Sequence, residues 1–141
     1  MNPGNHPRVS IILPARDAAS TLPACLASIG RQTLGDWECL IVDDGSADGT
    51  FEIADQAARA DLRFQVVSTP HRGLVAALND RIRRARGPLI ARMDADDVMH
   101  RDRLAAQVCA LERDPTLSGV GSHVRLFPRG TMSPRLREYE A

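Results

Sequence analysis

Four short apolar runs, each closed by polar or turn-forming residues, set the rhythm of the chain. Val9-Ser10-Ile11-Ile12-Leu13 ends at Pro14, Cys39-Leu40-Ile41-Val42 at Asp43, Phe64-Gln65-Val66-Val67 near Thr69-Pro70, and Leu89-Ile90-Ala91-Arg92-Met93 at Asp94. Their length and β-branched content predict strands, the first and the last of them buried. Between them the period changes. Leu22, Cys25, Leu26 and Ile29 recur at i, i+3, i+4 and i+7, with Ser20 or Thr21 placed to cap the helix they imply. Ile53, Ala54, Ala57 and Ala58 mark a second helix, and Leu74, Ala77, Leu78 and Ile82 a third that stops at Gly87-Pro88. Leu104, Val108 and Leu111 mark a fourth, ended by Asp114-Pro115, and a last strand is expected within 119–127. Strand and helix thus alternate, the pattern of an α/β protein with a Rossmann-like, mainly parallel sheet and helices on both faces.

In such sheets ligands bind beyond the carboxyl ends of the strands. Three polar clusters are expected there: Pro14-Ala15-Arg16-Asp17, Asp43-Asp44-Gly45-Ser46 and Asp94-Ala95-Asp96-Asp97. The last is the most demanding, because three carboxylates follow an apolar run with no lysine directly after them. Carboxylates at a buried strand end call for a cation or hydrogen-bond donors, and hard divalent metals take oxygen ligands of this kind. On extended backbone the Asp94-Ala95-Asp96 spacing would put both acids on one side of the strand.

Two other readings of these clusters fail on context. Residues 44–55 mimic a calcium EF-hand loop, with oxygens at positions 1, 3 and 5 and Gly49 at position 6. Position 12 is Asp55, shorter than the usual bidentate glutamate, and a strand precedes the loop where a helix is needed. A dinucleotide fold would require GxGxxG after the first strand. Pro-Ala-Arg-Asp-Ala-Ala stands there instead, and no P-loop occurs, so phosphates would have to be held by a metal and basic side chains.

Composition narrows the picture. With 141 residues the chain fits one core, and a domain over 9–127 is expected between a flexible tail, 1–8, and a tail or truncated helix start, 128–141. Eighteen basic and eighteen acidic residues cancel, so no global field recruits nucleic acid. Cys25, Cys39 and Cys109 are odd in number and sit in apolar patterns, which predicts reduced thiols and a cytoplasmic setting. The polar start lacks a signal or membrane span, leaving room for peripheral docking at the inner face of a membrane. Ser133-Pro134 is a good helix start with only seven residues after Pro134, too few for a stable helix, so the chain is expected to be a fragment lacking the C-terminal part of its domain, with self-association as a consequence.

Together Val9–Asp17, Ser28–Thr33, Asp36–Ser46 and Ala91–Asp97 resemble, in order and spacing, the N-terminal half of the family 2 glycosyltransferases, inverting enzymes of the GT-A fold; the likeness continues through Arg103-Leu104 to Gly121-Ser122. The resemblance implies a donor nucleotide-sugar, preferentially a UDP-sugar, and a glycan or lipid-linked acceptor in cell-surface polysaccharide synthesis. It implies that Pro14, Ala15, Arg16, Asp17, Asp43 and Asp44 hold the nucleoside, with Asp44 accepting from the base. Arg92, Met93, Asp94 and Ala95 would lie along the ribose and phosphates, with Asp94 and Asp96 on Mg2+ or Mn2+. Arg92 has two readings, a phosphate or the neighbouring aspartates. Arg72 and Gly73, with Asn79, match a donor-side block that more often reads Asn-x-Gly, while His71 and His100 match nothing catalytic and read as loop histidines. The general base comes from the family's C-terminal half and is expected beyond Ala141; no acid of this chain matches it, so the isolated chain is expected to be inactive in transfer. The alternative is a non-catalytic nucleotide-binding or regulatory module of the same fold.

Overall fold

The computed structural model describes residues 6–70 and 74–128, so the expectations for His71, Arg72, Gly73 and Ser133-Pro134 lie outside the described residues, as does the general base expected beyond Ala141. Four strands, β1 (Val9–Ala15), β2 (Trp37–Asp43), β3 (Phe64–Ser68) and β4 (Leu89–Arg92), alternate with helices α1 (Leu22–Gly30), α2 (Thr50–Ala60), α3 (Leu74–Arg84) and α4 (Arg103–Arg113). The sheet order is β3-β2-β1-β4, and every pairing is parallel. β2 is buried throughout and β1 everywhere but Pro14, as parallel strands must be when both faces are covered. The handedness of parallel crossovers explains the covering. Steps β1 to β2 to β3 run one way across the sheet and put α1 and α2 on one face; the return step to β4 puts α3 on the other. Accordingly α1 packs on α2, and α3 lies over β1 and β2.

The chain clusters into two compact units, residues 1–104 and 105–141. The first holds the whole sheet, α1 to α3 and the start of α4. In the second, α4 continues to Arg113 and is closed by a turn in which the Leu117 amide donates to the Asp114 carbonyl at 3.1 Å. The strand expected within 119–127 does not form: this stretch has no strand pairing and is mostly exposed.

Three further expectations need correction. β4 is not a fully buried strand but the edge of the sheet, alternating half-buried and exposed, so Ile90 is 47% exposed. Ile82 is 46% exposed rather than on the inner face of α3. Leu78, Arg81 and Ala85 form the less exposed stripe instead, because a long arginine stem can cover apolar surface as an aliphatic chain does. Thr21 occupies the α1 N-cap position but makes no capping bond; its hydroxyl donates to the Ala18 carbonyl at 3.3 Å.

A buried polar network fastens the α3 side of the sheet and has no counterpart in the apolar pattern. Glu38, 1% exposed, faces Ser10 across the β1–β2 ladder. Its Oε1 accepts from the Ser10 hydroxyl at 2.6 Å and the Arg86 amide at 2.8 Å, while Oε2 accepts from Arg86 Nε at 2.7 Å. Burial alone would raise the Glu38 pKa, but these hydrogen bonds and the Arg86 charge overcome it and leave the pKa below the ordinary carboxylate value. A depressed folded-state pKa contributes stability above the unfolded value and loses it as pH falls through the folded one. Urea unfolding midpoints should therefore decline as pH drops below about 4. Glu38→Gln should be less stable than wild type at pH 7 and show a shallower decline; an unchanged acid slope would count against the network.

Candidate functional site

The topology fixes where a ligand can sit. The chain leaves β1 toward β2, whereas β4, on the other side of β1, is reached by the crossover from β3. The crevice at such a reversal of strand order is where open α/β sheets bind ligands. A cleft of about 610 Å3 opens there, lined by Pro14, Ala15, Arg16, Asp17, Ala18, Ser20, Thr21, Asp44, Asp94, Ala95 and Asp96. The three polar clusters placed at strand ends by the sequence thus meet in one depression.

The loops around the cleft are stitched to one another. The Asp44 amide donates to the Ala15 carbonyl at 3.0 Å, joining the ends of β1 and β2. Gly45, at φ 73°, then turns the chain through a conformation that favours glycine. Amides of Asp17, Ala18 and Ala19 donate to Ser46 Oγ (3.0 Å), Thr50 Oγ1 (2.8 Å) and Asp48 Oδ2 (3.0 Å). Asp17, at φ 46°, accepts the Ala47 amide on Oδ1 at 2.8 Å; aspartate is among the few residues other than glycine that visit this left-handed region. Two of the three side chains that suggested a calcium loop, Ser46 and Asp48, therefore have structural work. Asp48 is held below the ordinary carboxylate range by the Thr50 hydroxyl first and the Ala19 amide second. Asp43 is 2% exposed and outside the cleft lining: its carboxylate takes the Ser46 amide at 3.2 Å and the Ser68 hydroxyl at 2.9 Å.

The acidic stretch is a turn rather than a continued strand. The Asp97 amide donates to the Asp94 carbonyl at 3.1 Å, so Asp94 and Asp96 reach the cleft from a closed turn and not by period-two alternation. Arg92 pairs with Asp94, Nη2 to Oδ1 at 3.1 Å, which matches the aspartate reading of its two. Met93 is 2% exposed, and its sulfur accepts from Arg103 Nη1 at 3.4 Å. Arg103 Nη2 also donates to the Arg92 carbonyl at 3.1 Å, tying the end of β4 to the start of α4. Asn79 is exposed on α3, outside the cleft lining, and His100 is an exposed loop histidine whose Nδ1 accepts the Asp102 amide at 3.3 Å.

Charge in the turn is concentrated. Desolvation first, then the Asp96 and Asp94 charges, hold the Asp97 carboxyl above its ordinary range, with Arg103 opposing them. Burial and the same acids push the Cys25 thiol up to about 12, so it stays protonated. Among the described residues no group of three His, Cys, Asp or Glu side chains forms a ready-made metal cage. Two cleft carboxylates at one turn nonetheless suit a hard cation such as Mg2+, which keeps several waters and is completed by substrate phosphates. The α1 N-terminus offers no substitute: Leu22 donates to Ala18 O, Pro23 has no amide hydrogen, and Ala24 and Cys25 donate to Thr21 O.

Several residues that build this site have other parts in the sequence pattern, or none. Ser20 and Thr21, there only candidate helix caps, line the cleft beside the expected loop. Ser46, expected in the cluster at the end of β2, acts with Asp48 and Thr50 as a stitch, and only the Asp48-x-Thr50 spacing, a local turn signal, hinted at the last two.

The chain resembles known proteins in sequence and fold. The profile of Glycosyl transferase family 2 matches residues 10–138. The putative glycosyltransferase EpsE of Bacillus subtilis is 36% identical over 129 residues, which make up 90% of this chain and 46% of that protein. Chondroitin synthase of Pasteurella multocida is 34% identical over 116 residues, 81% of this chain and 12% of that protein. Among solved structures, the mannosyltransferase PcManGT from Pyrobaculum calidifontis, in complex with GDP-Man and Mn2+, aligns with a TM-score of 0.72 at 33% identity, over 79% of this chain and 34% of that one. S. aureus TarS aligns at 0.71 and 21% identity, over 82% and 39%, which speaks for the fold alone. The chain spans less than half the length of each of these proteins. With the parallel sheet, the cleft at its strand-order reversal and a profile match over most of its length, the chain belongs to glycosyl transferase family 2.

Proposed function

We propose that this chain forms the donor-binding side of a metal-dependent, inverting glycosyltransferase that takes a nucleoside diphosphate-sugar, with a UDP-sugar as the primary reading and a glycan or lipid-linked acceptor. The observation that carries this is the convergence of Asp44, Asp94 and Asp96 with the Pro14–Asp17 loop around one cleft at the sheet's reversal point. Asp44, 6% exposed, presents a carboxylate suited to a ring N–H of the base. Arg16, in the loop that lines the cleft, lies on the nucleoside side of the donor. Asp94 and Asp96 hold Mg2+ or Mn2+, which when bound stabilises the negative charge developing on the diphosphate leaving group by several kcal/mol. The N–H groups at the start of α1 are committed to Ala18 and Thr21, so the diphosphate depends on the cation and on basic side chains. None of the cleft acids is assigned as the base that deprotonates the acceptor.

Calorimetry with the 141-residue chain tests this. UDP should bind at least about tenfold more tightly with Mn2+ or Mg2+ than with chelator, a difference of about 1.4 kcal/mol. GDP serves as the comparison, since the similar mannosyltransferase holds GDP-Man; tighter binding of GDP would reassign the base. Equal affinity with and without metal would remove the cation from the reading.

A further inference from the structure

On its inner side α1 carries Cys25 and Ser28, three residues apart and so on one face of the helix, and Gln32 follows just past its end; all three are buried. Each meets the segment that follows β4, and they meet it in order. Cys25 Sγ lies 3.5 Å from the Asp94 carbonyl, as donor. Ser28 Oγ accepts the Met99 amide at 3.1 Å. The Gln32 amide nitrogen donates to the His100 carbonyl at 2.8 Å, while its Oε1 accepts the Leu104 amide at 3.1 Å. Thr33 extends the line, its amide donating to the Arg101 carbonyl at 2.9 Å and its hydroxyl to Asp102 Oδ1 at 2.9 Å. Residues 97–100 have no regular structure. Beside them, the Met93 amide donation to the Ile12 carbonyl at 3.1 Å, the buried Met93, Ala95 and Met99 side chains and the Arg103 contacts hold the acidic turn to the body.

We infer that Ser28 and Gln32 are positioning residues for the acidic turn: they touch neither nucleotide nor metal, but set where the Asp94 and Asp96 carboxylates stand in the cleft. This rests on the reading that the turn holds a divalent cation. The physical reason is geometric. Two carboxylates on a short turn present oxygens to a small ion only if the turn has one conformation, and residues behind metal ligands typically account for roughly 10–100-fold in metal affinity. A side-chain amide suits the task because it offers a donor and an acceptor together, so Gln32 satisfies a carbonyl and an amide of the same segment. Ser28 is itself locked, donating to the Cys25 carbonyl at 2.7 Å.

The test compares wild type with Gln32→Met, which keeps length but loses both bonds, and with Ser28→Ala. Two readouts are taken on the whole chain: the ratio of UDP affinities with Mn2+ and with chelator, and the hydrogen-exchange rate of the Asp97 amide, which closes the turn. Gln32→Met should lower the metal ratio about tenfold or more, leave metal-free UDP affinity unchanged, and speed exchange at Asp97. Should Gln32→Met fail to fold, Thr33→Ala, altered at an exposed position, should show the same changes in smaller degree. If the variants match wild type in both readouts, the positioning role falls. If wild type has no metal advantage but the variants still speed exchange at Asp97, the cation reading falls and the positioning of the turn stands.

Discussion

Asp96→Ala should leave UDP binding equally strong in Mn2+ and in chelator, whereas Asp44→Asn should weaken it in both. Asp96 is exposed at the cleft lip, and surface substitutions of this kind usually change stability by no more than about 0.5 kcal/mol. Its effect on binding is therefore not a folding effect. Removing a metal ligand should erase the metal advantage, about tenfold or more, and bring the variant to the wild-type affinity in chelator. Asp44 acts on a different part of the ligand. The asparagine keeps its shape in a nearly buried site but exchanges a charged acceptor for a neutral amide, so a base N–H loses its best partner, at a cost of about 1–3 kcal/mol. Calorimetry on both variants and the double variant would show the two losses adding, as expected for groups that contact different parts of one ligand. A metal advantage that survives in Asp96→Ala would remove that residue from the cation site.

The largest effect on folding is expected from Gly87→Ala. A Cβ at Gly87 would lie 2.8 Å from the Ser10 amide nitrogen and 2.9 Å from the Val9 carbonyl carbon. Both are backbone atoms of β1, which is paired on one side with β2 and on the other with β4, so neither can move without breaking ladder bonds. The displaced segment would also lose the Gly87 amide donation to Ser10 Oγ at 2.9 Å and the Arg86 contacts to Glu38. Overpacking of this kind typically costs about 1–3 kcal/mol, and the lost buried bonds add about 1–3 kcal/mol for each group left unsatisfied. Against a total stability of about 5–15 kcal/mol, most of the folded population is at risk. Gly35→Ala is the control, since nothing lies within 4 Å of a Cβ there. Urea titration should show Gly87→Ala unfolded or shifted to a much lower midpoint and Gly35→Ala near wild type; similar midpoints for the two would refute the close-packing argument.

The apolar periodicity by itself determined the alternation of β1 to β4 with α1 to α4, because burial on both faces demands continuous apolar strands and one-sided helices. The ordered motifs identified the family, and with it the acids at Asp44, Asp94 and Asp96. Which of those polar residues face the cleft was decided only in three dimensions. Asp43 and Asp44 are neighbours in sequence and both nearly buried, yet Asp43 is spent on Ser46 and Ser68 while Asp44 lines the cleft. Adjacent residues at a strand end diverge in direction, and pattern alone cannot say which one turns toward the cleft. Ile82 likewise lacks the inward place expected of it on α3, and Arg81 stands among the less exposed positions instead, because an arginine stem covers apolar surface well enough to take such a position. The segment 119–127 has strand-like residues but joins no strand ladder among the described residues, since a strand exists through its partner's hydrogen bonds as much as through its own side chains. The bonds from Ser28 and Gln32 to Met99, His100 and Leu104 span about seventy residues of sequence. They arise where α1 and the end of β4 are brought together by the sheet order, a distance no local pattern can encode.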